Sequence, residues 1–285
     1  MKKNHADSSV LFVGVARNCE DFIEPTISKV EDCFAGFSAK EWLIVESDST
    51  DKTLSVLEKL KSDFIINVIA MGNLADQYYL RTERLALCRN RYLSEITSNP
   101  RYNNYDYVVV LDMDGVNIDL TREAIETCWG LEVEWDACFA NQLAPYYDIW
   151  ALRHEYWMPH DVFQEIRFLE WLGLSTKKAN KNALFNRMVT IDKNHPVIKV
   201  SSAFGGFGLY KKELLHNGRY CGVNARGEEV CEHVAFHEDL NSKGANLYIV
   251  PSLINGSWNE HSVQSTSLNR YVSMVAQKIA KIFSS

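Results

Sequence analysis

The chain predicts an α/β protein with a mostly parallel central sheet flanked by helices, and three observations predict it. Between residues 9 and 130, short apolar runs of strand type alternate with segments of helical spacing, the pattern of strands joined by crossover helices. The run "YDYVVVLDMD" (105–114) is apolar almost without a break, as expected of a strand covered on both faces. Three strand ends carry polar residues, namely Arg17-Asn18, Glu46-Ser47-Asp48 and Asp112-Met113-Asp114. Ligands of open α/β sheets bind at such carboxyl ends.

The elements follow in order. "SVLFVGVARN" (9–18) reads as the first strand, and residues 21–36 as a helix with Ile23, Ile27, Val30 and Phe34 on one face. "EWLIVESDSTDKT" (41–53) is a second strand ending in a Ser/Asp/Thr-rich turn, where Asp51 or Thr50 can cap the helix "KTLSVLEKLKS". "FIINVIAMG" is a third strand, residues 81–97 a helix, "YDYVVVLDMD" the fourth strand and "LTREAIETCWG" the next helix. The second half differs. Residues 135–175 are rich in aromatics, and residues 176–195 are polar and basic and read as a surface loop. "IKVSSAFGGFGLYKKELL" reads as strand, glycine turn, strand and helix start. "EEVCEHVAFHEDLNSKG" reads as a helix closed by Gly244, and "ANLYIVPSLIN" as a last strand. Leu268, Tyr271, Val272, Val275, Ile279 and Ile282 share one face of a C-terminal helix, which either packs on the domain or lies on a membrane surface with Arg270, Lys278 and Lys281. The expectation is a single domain over 1–285, with halves at 9–130 and 131–262 and the helix at 263–285.

With 285 residues, 46% of them apolar, the chain is long enough for a substantial core. A net charge of −7 argues against a nucleic-acid binder. The seven cysteines are scattered without a Cys-x-x-Cys pair, which suggests neither a zinc cluster nor a disulfide framework. No stretch of about 18 apolar residues occurs. The chain therefore reads as soluble and cytoplasmic, with peripheral contact at the inner face of a membrane as the alternative carried by the C-terminal helix.

Asp112-Met113-Asp114-Gly115 admits two chemistries. It resembles the nucleophile motif of haloacid-dehalogenase phosphatases, but those enzymes carry it on their first strand and need a later acidic pair. Here it follows more than 100 residues of β-α units, and no later strand ends in two adjacent aspartates. As an Asp-x-Asp pair, its first and third side chains point to the same side of an extended chain, so they can share one hard divalent cation that neutralises a leaving diphosphate.

On these motifs residues 10–260 resemble a GT-A glycosyltransferase of the inverting, family-two type. "VESDSTDKT" matches that family's acidic turn after the second strand, "VLDMDG" its metal motif, and "CEHVAFHEDLNSKGANLYIVPSLIN" its late segment. "RTERLALCRN", "YYDIWALR" and "FGGFGLY" are similar to pieces of fungal mannosyltransferases of Golgi and capsule pathways. The resemblance implies a nucleotide-diphospho-sugar transferase fold and a transfer from a GDP- or UDP-sugar to a saccharide or lipid-linked acceptor. It further implies Mn2+ or Mg2+ as cofactor. Donor contacts would come from Ala16, Arg17, Asn18, Glu46, Asp48, Arg81, Arg89, Asp112 and Met113. Metal ligands would be Asp112, Asp114 and His261. Glu232 would be the catalytic base, with Asp239 among its rivals. On residue chemistry the aromatic stretch 146–171 can form an acceptor platform, because sugars stack on aromatic rings, and Tyr147, Asp148 and Trp150 are its acceptor-side candidates, an Asp beside aromatics being suited to hydroxyl recognition. The bland alternatives are a solvated loop for Arg17 and Asn18, a capping role for Asp48, surface charge for the arginine run and core packing for the aromatics. His233 and His237, one helical turn apart, can bind a metal on spacing alone. A nucleotidyltransferase would open with a Gly-rich loop holding a basic residue, which "VGVARN" lacks, and a degenerate sugar-binding domain would not need Asp112, Asp114 and Glu232.

Overall fold

The structure, a computed structural model, describes residues 4–258 and 262. It contains one eight-stranded sheet. Its elements are β1 (Ser9–Ala16), α1 (Glu20–Cys33), β2 (Ala39–Glu46), α2 (Thr53–Leu60), β3 (Ile66–Ala70), α3 (Arg81–Ser98), β4 (Tyr107–Asp112), α4 (Arg122–Thr127), β5 (Ala137–Gln142), α5 (Val162–Trp171), α6 (Thr176–Ala183), β6 (Ile198–Lys199), β7 (Phe207–Lys211), α7 (Glu232–Ser242) and β8 (Leu247–Gly256). The strand order is β3-β2-β1-β4-β7-β5-β8-β6. β3, β2, β1 and β4 are parallel neighbours, as are β5 and β8, while β7 and β6 run against them.

Side chains of successive strand residues leave opposite faces, and both faces are covered. Leu11, Val13, Val108 and Val110 join one core with residues of α3 and α7, whereas Val10, Phe12, Val109 and Leu111 join another with residues of α1, α2 and α4. Two-sided burial is why these strands read as unbroken apolar runs. Each such side chain contributes about 1.5–3 kcal/mol by leaving water.

Two expectations change. Residues 176–195 begin with a helix, α6, rather than a loop; its sequence TKKANKNA buries only Ala179 and Ala183, too thin a stripe to be seen as periodicity. The helix read over 228–244 starts at Glu232, because Asn224 and Glu228 close a turn of their own just before it. No helix among the described residues is long and apolar enough to cross a membrane. The amphipathic stretch 263–285 lies outside the described residues.

Candidate functional site

The loops after β1 and β2 are tied into one rim. The Asn18 N–H donates to Ser49 Oγ and its carboxamide oxygen accepts the Thr50 N–H. Cys19 N–H donates to Thr53 Oγ1, Glu20 N–H to Asp51, and Lys52 N–H to Glu20. Asp51 also accepts the Thr53 N–H at the start of α2, whose N-cap position is Lys52. Asn18 (φ 48°) and Asp48 (φ 60°) are the only non-glycine residues with positive φ among those described. Left-handed backbone costs non-glycine residues of order 1–3 kcal/mol and gathers at binding sites.

Of the donor-side candidates, Ala16 is wholly buried and offers backbone only, and its carbonyl accepts the Ser47 N–H. Arg17 and Asn18 are exposed. Glu46 accepts the Ser49 N–H from inside the rim. Asp48 accepts the Ala75 N–H, and its other oxygen lies 3.8 Å from Arg84 Nε. Met113 is corrected: its side chain is buried beneath β1, where a Cβ on Gly14 would meet its Cγ and Sδ at 2.8 Å. It stands between two outward carboxylates, so strand alternation turns it into the core.

Asp112 and Asp114 lie at the carboxyl end of β4, in the middle of the sheet. Asp112 is half-buried and Asp114 exposed. The chain turns away at Gly115 (φ 85°), where a Cβ would come within 2.6 Å of Phe22. A cluster of buried amides absent from the sequence reading holds this end together. Asn117 Nδ2 donates to the carbonyls of Asp112 and Gly206, Asn255 Nδ2 donates to Asn117 Oδ1 and to the Gly205 carbonyl, and Gln142 Nε2 donates to Gly205 and Asn255. Gly206 (φ 81°) packs so closely that a Cβ would sit 2.6 Å from Val116 and 2.9 Å from the Tyr147 hydroxyl.

Burial, then the neighbouring Asp114 carboxylate, pushes Asp112 up to about 7, with Arg89 acting in the opposite direction. Asp148 and Arg81 also act on it, which brings both into the same electrostatic site. Arg81 is exposed at the first position of α3. Burial and the carboxylates of Asp112, Asp148 and Asp114 hold the Tyr147 phenol well above its usual range, so it stays protonated. Asp148 accepts the N–H groups of Gly205 and Ala151, and Trp150 packs half-buried beside the core.

Beneath the carboxylates lies Arg89, buried to 3% exposure. Its Nε is 3.0 Å from Glu232 and its terminal nitrogen 3.6 Å from Asp112, and the guanidinium lies over Phe204 and Tyr220. Of the remaining arginines in that helix, Arg84 donates to the carbonyls of Tyr78 and Tyr79, and Arg91 pairs with Glu95 on the surface. Glu232 is thus near Asp112 but buried to 4% exposure and engaged by a cation. Asp239 is not brought to the site: it is exposed, seven residues and about 10 Å further along α7, and accepts the Arg219 N–H. His261 lies outside the described residues.

His233 and His237 are core residues. The Ser202 and Tyr210 hydroxyls flank the two ring nitrogens of His237 at 2.8 Å each, and His233 stacks on Phe204 with centroids 4.0 Å apart. Burial, then Arg89, pulls His237 down to about 3, and burial does the same in direction for His233. Both are neutral in the folded chain, while unfolded histidines titrate near 6.5. The unfolded state therefore binds more protons below that pH. Stability should fall by up to about 1.4 kcal/mol per pH unit through His237 as pH drops from ~6 towards ~4, and His233 acts in the same direction. Urea unfolding at stepped pH checks this: His237→Gln should flatten the slope, and constant stability between pH ~6.5 and ~5 would contradict it.

Among the described residues no group of three or more His, Cys, Asp or Glu side chains can hold a metal. The chain offers two carboxylates whose mutual repulsion a divalent cation would relieve. Such hard oxygen donors suit Mg2+ or Mn2+, which normally takes its other ligands from water and phosphate oxygens.

No protein family and no curated protein matches the chain. Among solved structures, S. aureus TarS residues 1–349 aligns with 88% of this chain and 60% of its own, at 12% identity and a TM-score of 0.48. The mannosyltransferase PcManGT from Pyrobaculum calidifontis, in complex with GDP-Man and Mn2+, aligns over 86% and 55%, at 15% identity and 0.47. Glucosyl-3-phosphoglycerate synthase from Mycobacterium tuberculosis, with UDP, aligns over 98% and 80%, at 14% and 0.43. The chain thus spans under two thirds of the first two. Its α/β class rests on its own strand order and directions.

Proposed function

We propose that the chain is a GT-A type glycosyltransferase that moves a sugar from a nucleotide-diphosphate donor to a hydroxyl of a saccharide or lipid-linked acceptor, with Mn2+ or Mg2+. The observation that carries this reading is the pair Asp112 and Asp114 at the carboxyl end of the central parallel strand, with exposed Arg81 and protonated Tyr147 in their electrostatic field. Asp112 and Asp114 would hold the metal, which supplies neutralisation of the departing diphosphate. Arg81, at a helix N-terminus, adds positive charge for the same phosphates. The β1–β2 rim, with Asn18, Glu46 and Asp48, forms the wall for base and ribose. On the other side Tyr147 and Asp148 face the acceptor.

An inverting course needs a carboxylate beside the acceptor hydroxyl. Engagement by Arg89 and burial argue against Glu232 in that role, and its electrostatic contact with Asp112 favours Asp148. GDP-mannose is the first donor to test, on the resemblance of "RTERLALCRN", "YYDIWALR" and "FGGFGLY" to pieces of fungal mannosyltransferases.

A thermal-shift panel of GDP, UDP, CDP and dTDP, with and without Mn2+, tests the reading. One nucleotide should raise the melting temperature only when the metal is present. At a hundredfold excess over its dissociation constant the stabilisation is about 2.7 kcal/mol. A panel without any metal-dependent shift would remove the donor assignment.

A further inference from the structure

α5 and α6 form a helical hairpin that turns at Gly173 (φ 92°). Its tip exposes three large apolar side chains in five residues: Phe168 at 55%, Trp171 at 79% and Leu172 at 54%. The rings of Phe168 and Trp171 stack with centroids 6.2 Å apart, so they form one apolar surface. An amphipathic helix normally turns such residues inward, and the inner face of α5 is already supplied by Val162, Phe163, Ile166 and Leu169. The exposed set is therefore surplus to the core.

Directly after the tip come Lys177, Lys178 and Lys181, all exposed and, among the described residues, without an ion pair. Two of them lie in the first turn of α6, where a helix prefers acids, so they do not serve the helix itself. From Phe168 to Lys181 the only acid is Glu170, which makes this patch positive on a chain of net charge −7. The hairpin is also anchored to the site. Asp161 caps α5 through one oxygen, accepting the Gln164 N–H, and pairs through the other with Arg153, a few residues beyond Tyr147 and Asp148.

We infer that the α5–α6 tip docks on an anionic lipid bilayer, with Phe168, Trp171 and Leu172 entering the headgroup boundary and the three lysines meeting the lipid phosphates. Aromatic and aliphatic side chains beside lysines are the combination that holds a helix at a membrane interface. The C-terminal stretch 263–285 carries Arg270, Lys278 and Lys281 and no acid, so its charge does not complement this tip. A bilayer with acidic headgroups does. This inference does not depend on the transferase reading.

The test is co-sedimentation of the full chain with vesicles of phosphatidylcholine alone and of phosphatidylcholine mixed with phosphatidylglycerol. Binding is expected to the mixed vesicles only and should weaken as salt is raised. Phe168→Ser/Trp171→Ser should weaken it at least about tenfold, as should Lys177→Glu/Lys178→Glu/Lys181→Glu, with unchanged melting temperatures because all five residues are exposed. Absent binding, equal binding to both vesicle types, or full binding by either variant would overturn the inference. So would a concentration-dependent dimer that Phe168→Ser/Trp171→Ser abolishes, since the tip would then be a contact between copies.

Discussion

Asp114→Ala is expected to lose transfer by about three orders of magnitude while keeping the fold. Asp114 is exposed and holds no buried partner, so its removal takes no packing with it. On the proposed function its cost would fall on the metal and the leaving diphosphate. Several kcal/mol of charge stabilisation correspond to about 10³-fold in rate. Asp112→Asn should act in the same direction, and neither variant should lower the melting temperature of the metal-free protein. Each removes one of two carboxylates that repel one another beside a third at Asp148. The measurement is transfer rate together with Mn2+ titration, using the donor identified by the nucleotide panel. Unchanged activity in Asp114→Ala with unchanged Mn2+ affinity would end the metal assignment. Lost activity with unchanged affinity would instead make Asp114 a substrate contact.

The parallel half of the fold was legible because its strands are apolar on both faces and its helices carry apolar stripes. The direction of β7 was not. A strand's pattern records which faces are buried, not which way it runs, and the antiparallel insertion of β7 between β4 and β5 follows from the Gly205-Gly206 turn and the amides that hold it. Those amides lie at positions 117, 142 and 255, too far apart for any spacing rule to join them. α6 was hidden for a different reason, since a helix that buries two alanines has almost no period. At the site, Asp112 and Asp114 were legible from their strand end. The same alternation that puts the two carboxylates on one side turns Met113 into the core. Arg89 was ambiguous: arginine in a helix is normally surface charge, and only the acid opposite it, Glu232, 143 residues later, explains its burial.

Arg89 carries the second large expected effect. Removing one partner of a buried ion pair leaves an uncompensated charge and costs about 3–5 kcal/mol. Arg89→Ala should therefore be among the most destabilising single changes outside the apolar core, since it strands Glu232 at 4% exposure and also withdraws a cation from Asp112. A well-packed apolar replacement of both partners, Arg89→Met with Glu232→Leu, should recover most of that loss in urea unfolding, because the pair's attraction and its desolvation nearly cancel. A double-mutant cycle then isolates the coupling between them. The same residues separate a base from a counterion. A general base at Glu232 would contribute about 10²–10⁴ to the rate, so Glu232→Gln would lose that much. A counterion would not, because glutamine still offers Arg89 an oxygen to donate to. Retention of more than a tenth of the transfer rate in Glu232→Gln, with lowered stability, is the expected result. A loss of a hundredfold or more at unchanged stability would return Glu232 to the catalytic role that sequence resemblance gave it.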